Sequence, residues 1–232
     1  MTDSAVDTPR DDDARAEAFV RAHTHLSTVS PLGVRLLLAT EVTPLWRATE
    51  EWLSARGVPP PYWAFAWCGG VALAMHVLAA PEQVARASVL DFACGSGVVG
   101  LAALQAGARC VRAVDVDPFA AAAVRLNTEA NGVHLRVEVS DLLAPPFTTV
   151  EEEVILAGDV LYDRAFAEAV VPWLRHQADA GKWVLVGDPG RPTSIAASRD
   201  LPTVCLASYD VTTDVELEGV AQRRVEVRRV LA

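Results

Sequence analysis

The chain has 232 residues, of which 51% are hydrophobic and 22% are charged, enough apolar material for one large core with an N-terminal extension. Its 20 Lys and Arg are outnumbered by 30 Asp and Glu, which gives a formal net charge of −10. A chain this acidic has no general attraction for phosphate backbones, so nucleic acid is excluded as the expected partner. A protein surface or a small molecule fits the charge better.

The cysteines and the charge-free segments indicate a cellular location. Four cysteines lie far apart without a C-x-x-C pair, as expected for reduced thiols in a cytoplasmic protein. The acidic, polar N-terminus does not resemble a signal peptide. The stretch Val58–Ala80 carries no charge, but prolines open it and Gly69 and Gly70 interrupt it, and a bilayer cannot satisfy the backbone groups that such breaks free. We therefore expect a cytoplasmic protein that is not bound to a membrane.

The N-terminal part is predicted to be largely helical. Residues 1–13 are small and acidic with almost no apolar anchors, so we expect them to be disordered. Residues 14–80 form an expected N-terminal helical extension. Its helices are predicted at 13–24, at Leu45–Gly57, which ends in a C-terminal glycine, and at Gly70–Ala79.

Residues 81–232 alternate between strand and helix patterns. Apolar strands are predicted at ASVLD, CVRAVDVD, HLRVEVSD, EVILAGD and KWVLVGD. Helices are predicted at Val98–Gln105, Pro118–Asn131 and Arg164–Asp179. This order favours a parallel sheet covered on both faces. TVCLASYDV and RRVEVRRVLA then follow without a helical pattern between them, so we expect an antiparallel hairpin, with the basic RRVEVRR on a solvated edge strand.

Five parallel strands followed by an antiparallel pair define the expected fold class. It is α/β, a Rossmann-like class I methyltransferase three-layer sandwich with a mostly parallel seven-stranded sheet and a C-terminal antiparallel pair. A nicotinamide-binding Rossmann domain would more often continue with a second parallel half. We therefore assign 81–232 to a class I methyltransferase domain.

A glycine turn follows the first strand of this domain. Gly95, Gly97 and Gly100 spell G-x-G-x-x-G, which serves both dinucleotides and S-adenosylmethionine because the chain must turn sharply and let a ligand approach. Asp91 favours the second ligand, since a carboxylate repels a pyrophosphate but attracts an ammonium or a sulfonium. The alternative is that Asp91 caps the turn. Gly100 is interpreted as the small residue that lets the helix pack against the sheet.

Further aspartates end the following strands. Asp115 lies 20 residues after Gly95, where it can bind both ribose hydroxyls of an adenosine ligand. Asp117 precedes Pro118 and is predicted to be a helix N-cap. Asp141 ends the third strand, where class I methyltransferases hold the adenine amino group, and loop capping is the equal alternative.

The segment GDVLYD, Gly158 to Asp163, leaves the fourth strand at the edge where open α/β sheets bind ligands. Asp159 can take part of the charge of an incoming ammonium, and Tyr162 can hydrogen-bond to it or stack against it. Asp163 is predicted to cap the next helix. Asp159 and Tyr162 are therefore the candidate catalytic residues, with the role of orienting an amine while water takes its proton.

Several motifs together resemble one known family. PPYWAFAWCGG (Pro60–Gly70), DFACGSG, VDVDP, GDVLYD and GDPGRP (Gly187–Pro192) are similar to those of the lysine methyltransferases of the electron-transfer flavoprotein β subunit. These belong to the seven-strand protein-lysine methyltransferases, and their bacterial relatives are often described as nicotinamide N-methylase-like. The sequence departs from this pattern at Cys68, where Pro or Ala is usual, and at Ala93, where many class I enzymes have Gly.

The resemblance implies a cofactor, a substrate and a set of binding residues. The cofactor is S-adenosyl-L-methionine, with S-adenosyl-L-homocysteine as product, and the substrate is a protein lysine, on the electron-transfer flavoprotein β subunit. We expect a monomer without a metal. The cofactor-binding residues implied by the family are Trp67, Asp91, Gly95, Ser96, Gly97, Asp115, Asp141 and Gly158.

Within this set, Trp67 packs on the cofactor, Asp91 and Gly95 to Gly97 hold its methionine end, and Gly158 faces its methyl group together with Asp159. Tyr62 and Phe65 are interpreted as part of a hydrophobic plug between the N-terminal helices and the sheet. Two other functions stay open. One is a small-molecule N- or O-methyltransferase with the N-terminal helices as a lid, and the other is a non-catalytic module that binds an adenosine ligand or NAD.

Overall fold

A computed structural model of the protein describes residues 11–39, 60–192 and 200–232. The helices of these residues are α1 (Asp11–His23), α2 (Cys68–Ala79), α3 (Val98–Gln105), α4 (Pro118–Asn131), α5 (Arg164–Asp179) and α6 (Val215–Glu218). The strands are β1 (His25–Val29), β2 (Val34–Leu38), β3 (Ser88–Phe92), β4 (Cys110–Asp115), β5 (Arg136–Val139), β6 (Val154–Gly158), β7 (Trp183–Asp188), β8 (Thr203–Thr212) and β9 (Gln222–Val230). Short 3-10 turns span Tyr62–Ala64 and Pro81–Gln83.

A seven-stranded sheet forms the centre of the fold, in the order β5-β4-β3-β6-β7-β9-β8. Strands β3 to β7 pair in parallel, whereas β9 runs antiparallel to β7 and to β8. The predicted α/β sheet with a C-terminal antiparallel pair is therefore confirmed. The chain order reverses at β3, which lies between β4 and β6, and such a switch point opens a crevice at the carboxyl ends of the strands.

The core lies on both faces of this sheet. Val89 packs in a cluster with α2 and α3, whereas its neighbour Leu90 packs in a second cluster with α5. Successive side chains of a strand point to opposite faces, so strands that are covered on both sides must be apolar throughout. Helix α5 contributes one buried stripe at helical spacing, formed by Val170, Trp173, Leu174 and Gln177.

The three central helices begin and end at the predicted residues because local signals fix their ends. The Asp117 carboxylate accepts a hydrogen bond from the Phe119 N–H at 2.8 Å, and the Asp163 carboxylate accepts one from the Phe166 N–H at 2.9 Å. Both aspartates are thus N-caps, as predicted. Gly132, with φ 65°, closes α4 in the left-handed conformation.

The N-terminal region differs from its prediction. Helix α1 begins at Asp11, so residues 11–13 are helical rather than disordered. The predicted helical extension also contains two strands, because β1 and β2 form an antiparallel hairpin. HLSTV and VRLLL are short runs on either side of Pro31 and Gly33, which is a hairpin signal. Residues 1–10 and the helix predicted at Leu45–Gly57 lie outside the described residues.

The division of the chain at residue 80 cuts through one core. Leu73 and Val77 of α2 belong to the same buried cluster as Leu156 of β6 and Leu185 of β7. The predicted extension therefore shares its last helix with the sheet. Among the described residues, no helix has the length and the apolar character needed to cross a membrane.

The basic segment RRVEVRR does not form an edge strand. It lies in β9, between β7 and β8, and β8 occupies the edge. The Arg229 guanidinium carbon lies 3.8 Å from the centroid of the Trp183 ring, and Arg223 forms a salt bridge with Glu218 at 3.3 Å. The predicted solvated edge is therefore wrong, because these arginines pack on the neighbouring strand and on the connection before β9.

Candidate active site

A cavity of about 730 Å³ lies at the switch point of the sheet, within the size range of small-molecule sites. Its walls are the carboxyl ends of β3, β4 and β6 and the aromatic segment that precedes α2. Nearly all of the predicted site residues line it, namely Trp67, Asp91, Gly95, Ser96, Asp115, Asp141, Gly158, Asp159 and Tyr162. The fold thus brings together residues that are separated by up to about two fifths of the chain.

The two glycines of the turn have different places. Gly95 lines the cavity with φ 49°, and its N–H donates to the Asp115 carboxylate at 2.9 Å. Gly97, with φ 75°, lies behind the cavity wall, where a Cβ would come within 2.9 Å of a Val124 methyl group. Gly97 is thus required for packing the turn on α4.

Asp91 is almost entirely buried, with 1% of its surface exposed. Its carboxylate accepts a hydrogen bond from the Gly100 N–H at 2.8 Å, so Asp91 also caps the first turn of α3. A Cβ on Gly100 would lie 2.9 Å from that carboxylate oxygen, which confirms Gly100 as a packing residue. Burial raises the pKa of Asp91 to about 8, since a carboxylate in an apolar surrounding disfavours its charge.

One wall of the cavity, which we call the acidic wall, consists of Asp91, Asp115, Asp117 and Asp141. The Asp115 carboxylate accepts from the N–H groups of Gly95 and Asp117, and burial raises the pKa of Asp115. Burial likewise raises the pKa of the capping residue Asp117 to about 6. Asp141 is exposed and accepts from the Leu143 N–H at 2.9 Å, so its loop-capping role is present while it also lines the cavity.

Aromatic rings form the opposite wall. The Trp67 indole N–H donates to the Tyr62 carbonyl at 2.9 Å, and the Tyr62 and Tyr162 ring centroids lie 5.1 Å apart. Phe65 is 4% exposed and packs in a cluster with α1 and α4, as the hydrophobic-plug interpretation predicts. Both residues also line the cavity. Tyr62 differs from Phe65 because it is only half-buried and its ring lies against that of Tyr162.

Asp159 follows β6 directly and has an unusual backbone conformation. Its φ of 58° is left-handed, and its N–H donates to the Gly187 carbonyl at 2.9 Å. Its carboxylate accepts from the Gly69 N–H at 3.1 Å, in the first turn of α2, where the helix dipole favours a negative charge. A Cβ on Gly69 would lie 2.7 Å from the Asp159 nitrogen, so this approach needs bare backbone.

The structure adds two charged residues that the sequence did not single out. Arg191 forms an ion pair with Asp159, and its Nη2 atom lies 2.9 Å from both carboxylate oxygens of Glu218. Arg191 belongs to the motif GDPGRP, which carries the family resemblance but predicts no role for its arginine. Glu218, at the end of α6, carries no sequence signal.

Tyr162 keeps its proton at neutral pH. Burial is the main cause that raises the pKa of its hydroxyl, and nearby acidic groups add to it. The hydroxyl is therefore a neutral hydrogen-bonding group at that pH. Burial also raises the pKa of Asp159, although Arg191 opposes this effect.

Three potential metal ligands lie close together beside the cavity. Donor atoms of Cys68, Asp159 and Glu218 lie within 4.8 Å of one another. The Arg191 guanidinium is already paired with both carboxylates, so a cation of the protein itself balances this cluster.

Known proteins resemble this chain in sequence. A family model described as Ribosomal protein L11 methyltransferase (PrmA) matches residues 71–165. The electron transfer flavoprotein beta subunit lysine methyltransferase of Xenopus laevis is 39% identical over 214 residues, which cover 90% of this chain and 85% of that protein. The Danio rerio protein of the same name is 40% identical over 159 residues, which cover 68% of this chain and 60% of that protein.

Solved structures resemble it in fold. The tRNA (uracil-54, C5)-methyltransferase of Pyrococcus abyssi, in complex with S-adenosyl-L-homocysteine, has a TM-score of 0.51 at 19% identity and covers 68% of this chain and 38% of that chain. TrmN from Thermus thermophilus has a TM-score of 0.50 at 23% identity and covers 68% of this chain and 48% of that chain. At such identities the likeness concerns the fold alone.

The seven-strand sheet, the cavity at its switch point and these relatives define the class of the protein. It is a methyltransferase with the Rossmann-like class I fold. Within this class, the chain belongs to the family of electron transfer flavoprotein beta subunit lysine methyltransferases.

Proposed function

We propose that this protein transfers the methyl group of S-adenosylmethionine to a lysine side chain of the electron-transfer flavoprotein β subunit. The observation that carries the proposal is the identity of 39% with the Xenopus laevis enzyme over 90% of the chain. The acidic charge balance agrees with it, since a net charge of −10 disfavours nucleic acid as the acceptor.

The residues of the cavity suit S-adenosylmethionine. Its acidic wall offers Asp91 and Asp115 to a ligand that carries an ammonium, a sulfonium and ribose hydroxyls, and Gly95 keeps the turn open beside them. We assign the methionine end to Asp91 and to the turn of Gly95, Ser96 and Gly97, with Gly97 acting through packing. Asp115 binds the ribose and Asp141 the adenine.

The bound cofactor supplies a methyl group that is already activated by a positive sulfur. The protein therefore has mainly to align an amine with it, and positioning alone lowers barriers of this kind substantially. Trp67 packs on the cofactor, Gly158 faces the methyl group, and the Asp159 carboxylate and the Tyr162 hydroxyl orient the acceptor nitrogen.

The acceptor lysine must be neutral to react, although its ordinary pKa is near 10.4. The aromatic wall of Tyr62, Trp67 and Tyr162 excludes water and thereby disfavours the ammonium form. An isolated carboxylate would have the opposite effect, but Asp159 is paired with Arg191. The lysine gives its proton to water as it enters the cavity, before the aromatic wall encloses it, since Tyr162 keeps its own proton.

The proposal includes a monomeric enzyme in the cytoplasm. All four cysteines are free, of which Cys68 and Cys94 are buried and Cys110 and Cys205 are exposed. Free thiols agree with a reducing compartment.

The test is methylation with labelled S-adenosylmethionine, using purified electron-transfer flavoprotein and, separately, a soluble extract of the source cells. We expect label on a lysine of the β subunit, and its loss with the variant D159N. Label confined to small molecules would support the rival small-molecule methyltransferase instead. Cofactor binding without any transfer would support the non-catalytic module.

A further inference from the structure

We propose that Arg191 is a positioning residue for methyl transfer, which fixes the Asp159 carboxylate at the end of β6 and cancels its charge. The inference deepens the proposed function and rests on it, because it gives Arg191 a part in the same site. Arg191 lines the cavity, and its side chain is 19% exposed.

The guanidinium of Arg191 fixes the orientation of the Asp159 carboxylate. The Nη1 atom of Arg191 contacts one carboxylate oxygen of Asp159, while the Gly69 N–H holds the other oxygen at 3.1 Å. The Nη2 atom of Arg191 lies 2.9 Å from both oxygens of Glu218. The planar guanidinium therefore bridges two carboxylates, and neither can turn without breaking a charge-assisted hydrogen bond.

Glu218, the second carboxylate bound by Arg191, is itself held in place. The Glu218 side chain is 5% exposed and forms a second salt bridge with Arg223, at 3.3 Å. The Arg223 side chain also donates to the Glu218 carbonyl at 2.8 Å. The four side chains alternate in charge from Asp159 to Arg223 and sum to zero, which is how proteins retain buried charges.

The network ties three separate parts of the chain to one carboxylate. Asp159 follows β6, Arg191 follows β7, and Glu218 lies in the connection between β8 and β9. The C-terminal antiparallel pair thus supports the methyl-transfer end of the cavity, although it contributes no strand to the acidic wall. This is a second function for a hairpin that otherwise completes the sheet.

The charge of Arg191 also changes what Asp159 does to an acceptor amine. An uncompensated carboxylate stabilises the ammonium form of an acceptor amine, which cannot attack a methyl group. Paired with Arg191, the carboxylate remains a hydrogen-bond acceptor but loses most of this effect. Burial alone would lower the pKa of Arg191, but the carboxylates of Asp159 and Glu218 outweigh it and hold that pKa above its ordinary value, so the cation persists.

The experiment that does not depend on the acceptor compares the affinities for S-adenosylmethionine and S-adenosylhomocysteine. Only the first carries a permanent positive charge at the reacting end. We expect R191Q, titrated by calorimetry at about pH 8.5 to keep Asp159 ionised, to raise the preference for S-adenosylmethionine by about tenfold, because Asp159 is then unpaired. The double variant D159N/R191Q should return to within about twofold of the wild-type preference.

Two further variants separate this role from a merely structural one. R112Q removes another half-buried arginine, which forms a salt bridge of 2.7 Å with Glu152. This pair does not line the cavity, so R112Q should leave the preference for S-adenosylmethionine unchanged. R191K keeps a cation beside Asp159 but cannot bridge both carboxylates, so it should keep the wild-type preference even if R191Q does not fold. On the acceptor protein, R191Q should lower kcat by about tenfold in the wild-type background and by less than about twofold in D159N.

If R191Q showed the same preference for S-adenosylmethionine as R112Q, the role of Arg191 would be overturned and the proposed function would not. That role would equally be wrong if R191K differed from the wild type as much as R191Q does, or if the kcat effects of R191Q and D159N were additive. A wild-type protein that binds neither nucleoside would overturn the proposed function and the role of Arg191 with it.

Discussion

The two halves of the cavity treat their carboxylates differently. At the ends of β3 and β4, Asp91 and Asp115 accept hydrogen bonds from backbone N–H groups, and no Lys or Arg of the described ranges forms a salt bridge with either. At the end of β6, Asp159 also accepts a backbone N–H but is paired with Arg191. One half therefore holds carboxyl groups without a cationic partner among the described residues, and in the other half the carboxylate is balanced by an arginine of the protein itself.

This difference matches the chemistry that each half is proposed to serve. An unbalanced carboxylate attracts a permanently cationic ligand and is costly to bury until that ligand arrives. A balanced carboxylate can orient a neutral amine without drawing it back to its ammonium form. The position of an aspartate at the end of a strand is thus not enough to assign its role. Whether a cation of the protein is paired with its carboxylate determines which ligand group it can bind.

The largest expected effect is on turnover, in the balanced half. D159N keeps the size of the side chain but removes the charge that pairs with Arg191, so we expect kcat to fall about 100-fold while the S-adenosylmethionine affinity stays within about threefold. Labelled methyl transfer and calorimetry measure the two quantities. E152Q, which removes another carboxylate paired with an arginine, is the matched control. Wild-type turnover in D159N would show that Asp159 does not orient the acceptor.

The next effect is on cofactor affinity, in the unbalanced half. D115N weakens the acceptor proposed for the ribose hydroxyls, so we expect the affinity for S-adenosylmethionine to fall about 10-fold to 100-fold. At saturating cofactor, kcat should change by less than about threefold. Calorimetric titration of D115N and D159N with S-adenosylmethionine compares the two halves of the cavity directly. Equal affinities for D115N and the wild type would refute the ribose assignment.

A pH effect should also belong to the unbalanced half. The pKa of Asp91 is about 8 in the ligand-free protein, so below that pH its proton must leave before it can pair with a cation. We expect the affinity for S-adenosylmethionine to rise about tenfold between about pH 6.5 and about pH 8.5, and to be flat in D91N.

The pH has the opposite effect on stability, since ionisation of Asp91 lowers the free energy of unfolding of the ligand-free protein. The pKa of Asp91 is higher in the folded chain than in the unfolded one, so its contribution is present at low pH and is lost as the pH rises through about 8. D91N should therefore raise the free energy of unfolding of the ligand-free protein at about pH 8.5, by about 1–3 kcal/mol. A cofactor affinity that does not vary with pH, or a destabilised D91N, would contradict this account of Asp91.

The smallest effect concerns backbone strain, which both halves contain. Ala93 after β3 has φ 51° and Asp159 after β6 has φ 58°, a conformation that disfavours side chains with a Cβ. A93G should raise the free energy of unfolding by about 0.5–1 kcal/mol, measured by chemical denaturation. A87G is the control, since Ala87 has no positive φ, and should lower stability by about 0.4–1 kcal/mol. A less stable A93G would mean that the Ala93 methyl group contributes more than its strain costs.

The sequence by itself determined the order of strands and helices and the acidic residues at the strand ends. Apolar runs repeat at strand or helix spacing, and Asp117 and Asp163 satisfy backbone groups that are only two or three residues away. Because parallel strands end at one edge, the positions of Asp91, Asp115 and Asp159 in the sequence also placed them at one cavity. These are local signals, and local signals can be interpreted without coordinates.

Only the tertiary structure decided which charges meet. Arg191 is 32 residues from Asp159 and 27 residues from Glu218, and loop residues have no periodicity that predicts such contacts. The position of β9 inside the sheet and the hairpin near the N-terminus were decided in the same way, by which neighbours were available for pairing. Pairing between distant segments depends on how the whole chain folds. This gave Asp159 a cationic partner, whereas Asp91 has only a backbone N–H as its partner among the described residues.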